Sequence, residues 1–316
     1  MKLSYVLKYA KSLDDFNKVR LQQDLHEYVH DLNLVMDLHE IDFGNLKTLV
    51  RNDLKAIDAI GSRVYNNLNS LQEKLNAWKL QYRNEYYKLS DKIYEESLND
   101  DADYIITRSK RNNLFVVHQS QNTFIGRLSV YADFHWPAVQ IRPLNGLITD
   151  KMKANDPLYI VDTSESLFKE VKAMFAPQYQ RRLRYYTVNE KQKHPLHRLP
   201  QRQIGLVVAV DFFNFKPIHI VEKYLKSCWE ILRPGGIMMF TFNNGDSVEG
   251  ARNVEAHFNT YVPSSDLITI LHKIGYEVIA EFNLDKNLSW FEIRKPGELQ
   301  SMRLAQTFAT IEKLSD

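Results

Sequence analysis

Apolar positions recur with two different periods along the chain, and the period changes near residue 100. Before that point, Val64, Leu68, Leu71, Leu75, Trp78, Tyr82, Tyr86, Leu89 and Ile93 follow one another in steps of four and three. That spacing lines one face of a helix. Val50, Leu54 and Ile57 extend the seam upstream, so the pattern predicts a single helix over 45–97. At 1.5 Å per residue it spans on the order of 80 Å, too long to be wrapped inside a small globular domain. Earlier, Leu13, Phe16, Val19, Leu25, Tyr28, Leu32 and Val35 give a looser helical stretch. Ser12-Leu13-Asp14-Asp15 reads as its start, with a hydroxyl cap and acids in the first turn. Asp42-Phe43-Gly44-Asn45 is the expected break. Several heptads of this kind describe a coiled coil or a long helical hairpin. The seam mates either with the first helix or with another chain. Residues 1–98, which contain no proline, form an interaction module with nothing catalytic in it.

After the acidic run Asn99-Asp100-Asp101-Ala102-Asp103, short apolar runs alternate with amphipathic ones. Strands are predicted at 138–141, 158–161, 184–188, 206–210, 237–242, 276–282 and 288–295. Helices are predicted near 146–154, 164–175, 217–232 and 265–274. The clearest unit is Leu206-Val207-Val208-Ala209-Val210-Asp211, followed by an amphipathic stretch, Pro234-Gly235-Gly236, and Ile237-Met238-Met239-Phe240-Thr241-Phe242. It reads as strand–helix–strand in a buried parallel sheet. The expected organisation is a linker and leading helix over 99–130, an α/β domain over 131–297, and a final amphipathic helix over 298–316 through Met302, Leu304, Phe308 and Ile311.

Bulk properties narrow the classes. The 316 residues are 44% hydrophobic, enough for a proper core, and 41 basic against 39 acidic residues leave a net charge of +2. That balance makes no case for nucleic acid or an anionic membrane. The basic run around Arg181, Arg182, Arg184, Lys191, Lys193, Arg198 and Arg202 reads as a solvated loop. No apolar stretch reaches a membrane-spanning length, and the start of the chain does not read as a signal peptide. A cytoplasmic location is expected. The single cysteine, Cys228, excludes an intramolecular disulfide and a Cys-rich zinc site, and the histidines lack metal-ligand spacing, so no metal is expected.

In this register, residues 130–297 resemble the class I S-adenosylmethionine-dependent methyltransferases. The resemblance is carried by the Leu206–Phe242 stretch, by Asp162 ending Leu158-Tyr159-Ile160-Val161, and by the closing pair Tyr276-Glu277-Val278-Ile279 and Trp290-Phe291-Glu292-Ile293. It implies a Rossmann-like seven-stranded sheet and S-adenosylmethionine as the methyl donor, with Asp162 on the donor ribose, since a carboxylate offers two acceptors to a vicinal diol. From the residues alone, Asp162 serves equally as a cap for the helix that follows. The resemblance also places Gln140, Asn145 and Gly146 in the donor loop, and Asp211 and Asn214 near the acceptor as catalytic candidates. Here the sequence departs from the family pattern. Gln140 stands at the usual acid, and Arg142 and Leu144 stand where two loop glycines belong, positions that use glycine for positive φ and close ligand approach.

Two functions follow. The expected one is a methyltransferase-like protein with a degenerate donor site, a non-catalytic structural or assembly component that oligomerises or meets protein partners through its N-terminal helices. The alternative is an active S-adenosylmethionine-dependent methyltransferase on an unidentified acceptor.

Overall fold

The computed structural model describes residues 2–15, 45–98, 104, 118–143, 146–285 and 288–297. The elements in chain order are α1 (Leu3–Asp15), α2 (Asn45–Ser97), α3 (His118–Tyr131), β1 (Ala138–Ile141), α4 (Leu147–Lys151), β2 (Leu158–Asp162), α5 (Lys169–Met174), α6 (Pro177–Gln180), β3 (Leu183–Thr187), β4 (Ile204–Ala209), α7 (Ile218–Ile231), β5 (Leu232–Phe242), α8 (Val248–Glu255), α9 (Ser264–Ile274), β6 (Glu277–Asp285) and β7 (Leu288–Arg294). The chain divides into two compact units, Met1–Glu85 and Tyr86–Asp316.

The first unit holds α1 and most of α2. The reading of Ser12 as a helix start is corrected: Ser12 to Asp15 form the last turn of α1. Leu3, Val6 and Leu7, buried at helical spacing, drive the helix from the other side. The looser stretch over 16–35 and the break at 42–44 lie outside the described residues. So do the acidic run 99–103 and the C-terminal helix expected over 298–316. Helix α2 runs unbroken for 53 residues, over the span its seam predicted.

The second unit is built on a sheet of order β3-β2-β1-β4-β5-β7-β6. Strands β1 to β5 run parallel, and β7 pairs antiparallel with both β5 and β6. This is the α/β Rossmann-like sheet of methyltransferase folds. Alternation along the strands makes two cores, because successive side chains point to opposite faces. Val207 and Ala209 of β4 join Met238 and Phe240 of β5 under Val221, Tyr224 and Leu225 of α7. Leu206 and Val208 join Ile237 and Met239 against Phe124 and Leu128 of α3. Strands covered on both faces read as unbroken apolar runs. The buried Glu292 of β7 pins α3, accepting from Arg127 Nε at 2.9 Å and from the Tyr131 hydroxyl at 2.8 Å.

One strand boundary differs from expectation. Strand β5 begins at Leu232, not at 237, because Leu232 pairs directly with Ile204 and Pro234-Gly235-Gly236 is absorbed as a register shift before Ile237 meets Leu206. The two compact units divide inside α2, at Glu85/Tyr86. The last turns of α2 belong to the second unit and pack within it. The Tyr86 and Tyr87 rings stand edge-on to Tyr261, and the buried Ser90 hydroxyl accepts from the Tyr261 N–H at 2.6 Å. The long stretch after β5 folds back on itself around α8, where Asn244 pairs with Val262.

Candidate functional site

Ligands of open α/β sheets bind beyond the carboxyl ends of the strands, where the strand order reverses. A groove of about 900 Å3 lies there, lined by Arg142 after β1, Thr163 and Ser164 after β2, Glu190 after β3 and Lys216 after β4, with Tyr94 of α2 on its wall.

Arg142 departs from the family pattern most visibly. Its backbone takes φ 60°, the left-handed conformation for which glycine is the default. The loop therefore keeps the shape of a glycine turn while carrying a long cationic side chain. That side chain turns inward and grips Asp162 with two nitrogens, Nε to Oδ2 at 3.2 Å and Nη2 to Oδ1 at 3.1 Å, and its guanidinium lies 5.1 Å from the Phe212 ring centroid. Both side chains are buried, 4% and 0% exposed. Burial works against the charge on Arg142, yet the adjoining Asp162 carboxylate outweighs it and holds the guanidinium pKa above its ordinary value. Asp162 Oδ1 also accepts from the Thr163 N–H at 2.7 Å. The capping role falls to Ser164, whose hydroxyl accepts from the Ser166 N–H.

Gln140 and Gly146 do not line the groove. Gln140 is buried and accepts from the Thr149 hydroxyl of α4 at 2.6 Å. Gly146, at φ 76°, precedes α4, and a Cβ built on it would meet Met174 Sδ at 2.6 Å. Asn145 and Leu144 lie outside the described residues. The catalytic candidates Asp211 and Asn214 do not line the groove; both are fully buried. The Asp211 N–H donates to Thr241 Oγ1 at 2.8 Å, and the Asn214 carbonyl accepts from the Thr260 N–H at 2.9 Å. These residues hold the ends of β4 and β5 to the segment that folds back after β5.

The groove wall instead carries a cluster that sequence reasoning missed. Glu190 accepts from Lys216 Nζ at 2.7 Å, from the Tyr94 hydroxyl at 2.7 Å and from the Tyr224 hydroxyl of α7 at 3.0 Å. Its backbone oxygen takes Lys223 Nζ at 2.8 Å. The Glu190 and Lys216 side chains are 10% and 7% exposed. Burial raises the Glu190 pKa, but Lys216 and the phenol hydroxyls overcome it and hold the carboxyl below its ordinary value. Burial lowers the Lys216 pKa, and Glu190 offsets only part of that. Burial and the neighbouring Glu190 together push Tyr224 well above the usual phenol value. A signal for the pair exists in the sequence: Glu190 is the one acid in the basic loop 189–200, and Lys216 is a lone cation beside Phe212, Phe213 and Phe215.

No group of three or more His, Cys, Asp or Glu side chains is placed to hold a metal among the described residues. No helix among them is long and apolar enough to cross a membrane.

Comparison with known proteins matches no family model and no curated protein. Solved structures are similar at the level of the fold. A putative methyltransferase from Bacillus halodurans has 11% identity and a TM-score of 0.44, covering 55% of this chain and 99% of its own. An S-adenosylmethionine-dependent methyltransferase from Mesorhizobium loti has 11% identity and a TM-score of 0.45, covering 54% and 96%. The N-methyltransferase NodS from Bradyrhizobium japonicum, in complex with S-adenosyl-L-homocysteine, has 14% identity and a TM-score of 0.45, covering 66% and 98%.

Proposed function

We propose that this protein is a non-catalytic component that keeps a methyltransferase-like fold as a rigid body and uses its N-terminal helices to associate. The observation that carries this reading is the bidentate Arg142–Asp162 pair. The resemblance gives both Asp162 oxygens to a donor ribose, and here both are engaged by a buried guanidinium. Asp211 and Asn214, fully buried, offer no group to an acceptor. The residues present therefore do not fit S-adenosylmethionine in the family's manner, and no methyl-transfer step is derived through it. Fold alone carries no activity.

Calorimetry of the full chain with S-adenosylmethionine tests this. The expected result is no saturable heat at millimolar donor; micromolar binding overturns the reading. The alternative, an active methyltransferase, draws on one observation, the groove of about 900 Å3 beside Asp162. It requires Arg142 to leave the carboxylate when donor enters.

For association, the support is the α2 seam, where Leu71 and Trp78 stand 44% and 40% exposed. Large apolar side chains left open in a periodic row suit a partner helix. Light scattering of a Leu71→Asp/Trp78→Asp variant is expected to show a smaller particle than the wild-type chain. An unchanged mass refutes the role of the seam.

A further inference from the structure

The amino-terminal ends of the strands carry a second cavity, of about 550 Å3. Its walls come from three adjacent strands: Trp136 and Pro137 lead into β1, Arg202 and Gln203 lead into β4, and Arg233 and Pro234 open β5. Arg233 is 6% exposed, and its guanidinium lies 3.7 Å from the Trp136 ring centroid. Among the described residues, none gives that guanidinium a hydrogen bond or an ion pair. Arg202, on the rim, has no ion pair among them either. Of the nearby acids, Asp133 meets His135 at 2.7 Å and attracts Arg233 without forming an ion pair with it, and Glu230 meets His194 at 3.0 Å. Lys295 spends its ammonium on the carbonyls of Trp229 and Leu232, at 2.6 and 2.8 Å.

Buried arginines are ordinarily paired, because removing the charge from water is costly without a counter-ion. Here the cation is buried, flattened on an indole and open only toward a cavity. Burial lowers the pKa of both Arg233 and Lys295, and the charge of Arg202 adds to the effect on Lys295; Asp133 and Glu230 act the other way and offset only part of it. A planar guanidinium fork matches phosphate oxygens with two parallel hydrogen bonds. The volume exceeds that of a bare phosphate and falls in the range of small-molecule sites, and Pro137, Pro234 and Trp136 supply apolar wall for an organic body.

We propose that this cavity binds a small phosphate ester, its phosphate held by Arg233 and by Arg202 at the rim. The site lies at the opposite ends of the strands from the groove lined by Arg142 and does not depend on how that groove is read.

Titration of the full chain with ribose 5-phosphate at constant ionic strength tests it, followed by calorimetry, with ribose and inorganic phosphate as comparison ligands. The expected result is saturable binding of the ester, with inorganic phosphate weaker and ribose silent. Arg233→Gln is expected to weaken the ester by at least about tenfold, the loss of a charged hydrogen-bond pair. Arg202→Gln, at an exposed position, is expected to weaken it severalfold and serves if the first variant does not fold. No saturable binding overturns the proposal. So does binding unchanged in whichever variants fold, or inorganic phosphate bound as tightly as the ester.

Discussion

Two buried arginines, Arg142 at the carboxyl ends of the strands and Arg233 at the amino ends, stand in opposite circumstances. Their exposures are 4% and 6%. Arg142 has a carboxylate gripped by two nitrogens, while Arg233 has an indole face and a cavity. The difference teaches what burial of a charge signifies. Where the protein supplies the counter-ion, the cation closes a space and becomes part of the scaffold. Where it supplies a flat apolar ring and an acid too distant to pair, the charge is left poised for something that arrives from outside. At the usual ligand end of this sheet the Asp162 carboxylate is thus taken up by the chain's own arginine, although a groove remains beside it, while at the opposite end Arg233 keeps no such partner.

The largest effect expected from this contrast is at Asp162. Asp162→Ala leaves Arg142 charged, buried and alone, and removing one partner of such a pair costs about 3–5 kcal/mol. The double variant Arg142→Met/Asp162→Leu removes both charges together and is expected to recover most of that loss, because apolar replacement of a whole buried pair is often close to neutral. Urea denaturation at neutral pH measures both. A single variant within about 1 kcal/mol of wild type would mean that water reaches the pair from the groove.

Glu190 offers a second test of the same end, with a pH signature. Glu190→Gln strands Lys216 and is expected to cost somewhat less, about 2–4 kcal/mol, since the neutral amide still accepts a hydrogen bond from the cation. The folded-state pKa of Glu190 lies below its ordinary 4.5. Its stabilisation is therefore full above that pH and is lost as pH falls through the depressed value. The gap in stability between wild type and Glu190→Gln should be widest near neutrality and narrow in acid below the ordinary carboxylate range. A gap that stays constant with pH would show that the carboxylate charge contributes nothing.

Much of the sheet was legible in the sequence, because strands buried on both faces announce themselves as apolar runs, as at Val207-Val208-Ala209, and because Gly275 ends α9 at φ 107° before β6. The long α2 was legible from its seam alone. Its last turns were not, since Tyr86, Ser90 and Tyr94 fit the helical period equally well whether they meet another helix or, as here, Tyr261 and Glu190. The acids were legible as positions and not as partners. Asp162 was recognisable at a strand end and Arg142 as an intruder in a glycine loop, but their pairing depends on a φ of 60° that a sequence does not display. Arg233 was hidden further, inside the Arg233-Pro234-Gly235-Gly236 turn, which reads as mere punctuation until β5 is found to begin at Leu232.

The smallest effect is expected at Arg233, and its smallness is what sharpens the contrast. Arg233→Gln removes a charge that forms no ion pair and feels Asp133 only from a distance, so it leaves no closely paired opposite charge stranded. The variant gives up the stack on Trp136, worth about 0.5–2 kcal/mol for a cation over an aromatic face. Against that stands relief from burying an uncompensated charge, which works in the opposite direction. The net change expected is within about 1 kcal/mol, of either sign. Thermal or urea unfolding without added phosphate gives the number. A destabilisation comparable with that of Asp162→Ala would mean that Arg233 is braced by the fold as firmly as Arg142, and the distinction between a paired arginine and an unpaired one would disappear. A near-neutral result, together with the several kcal/mol expected at Asp162, would leave the two arginines alike in burial and opposite in purpose.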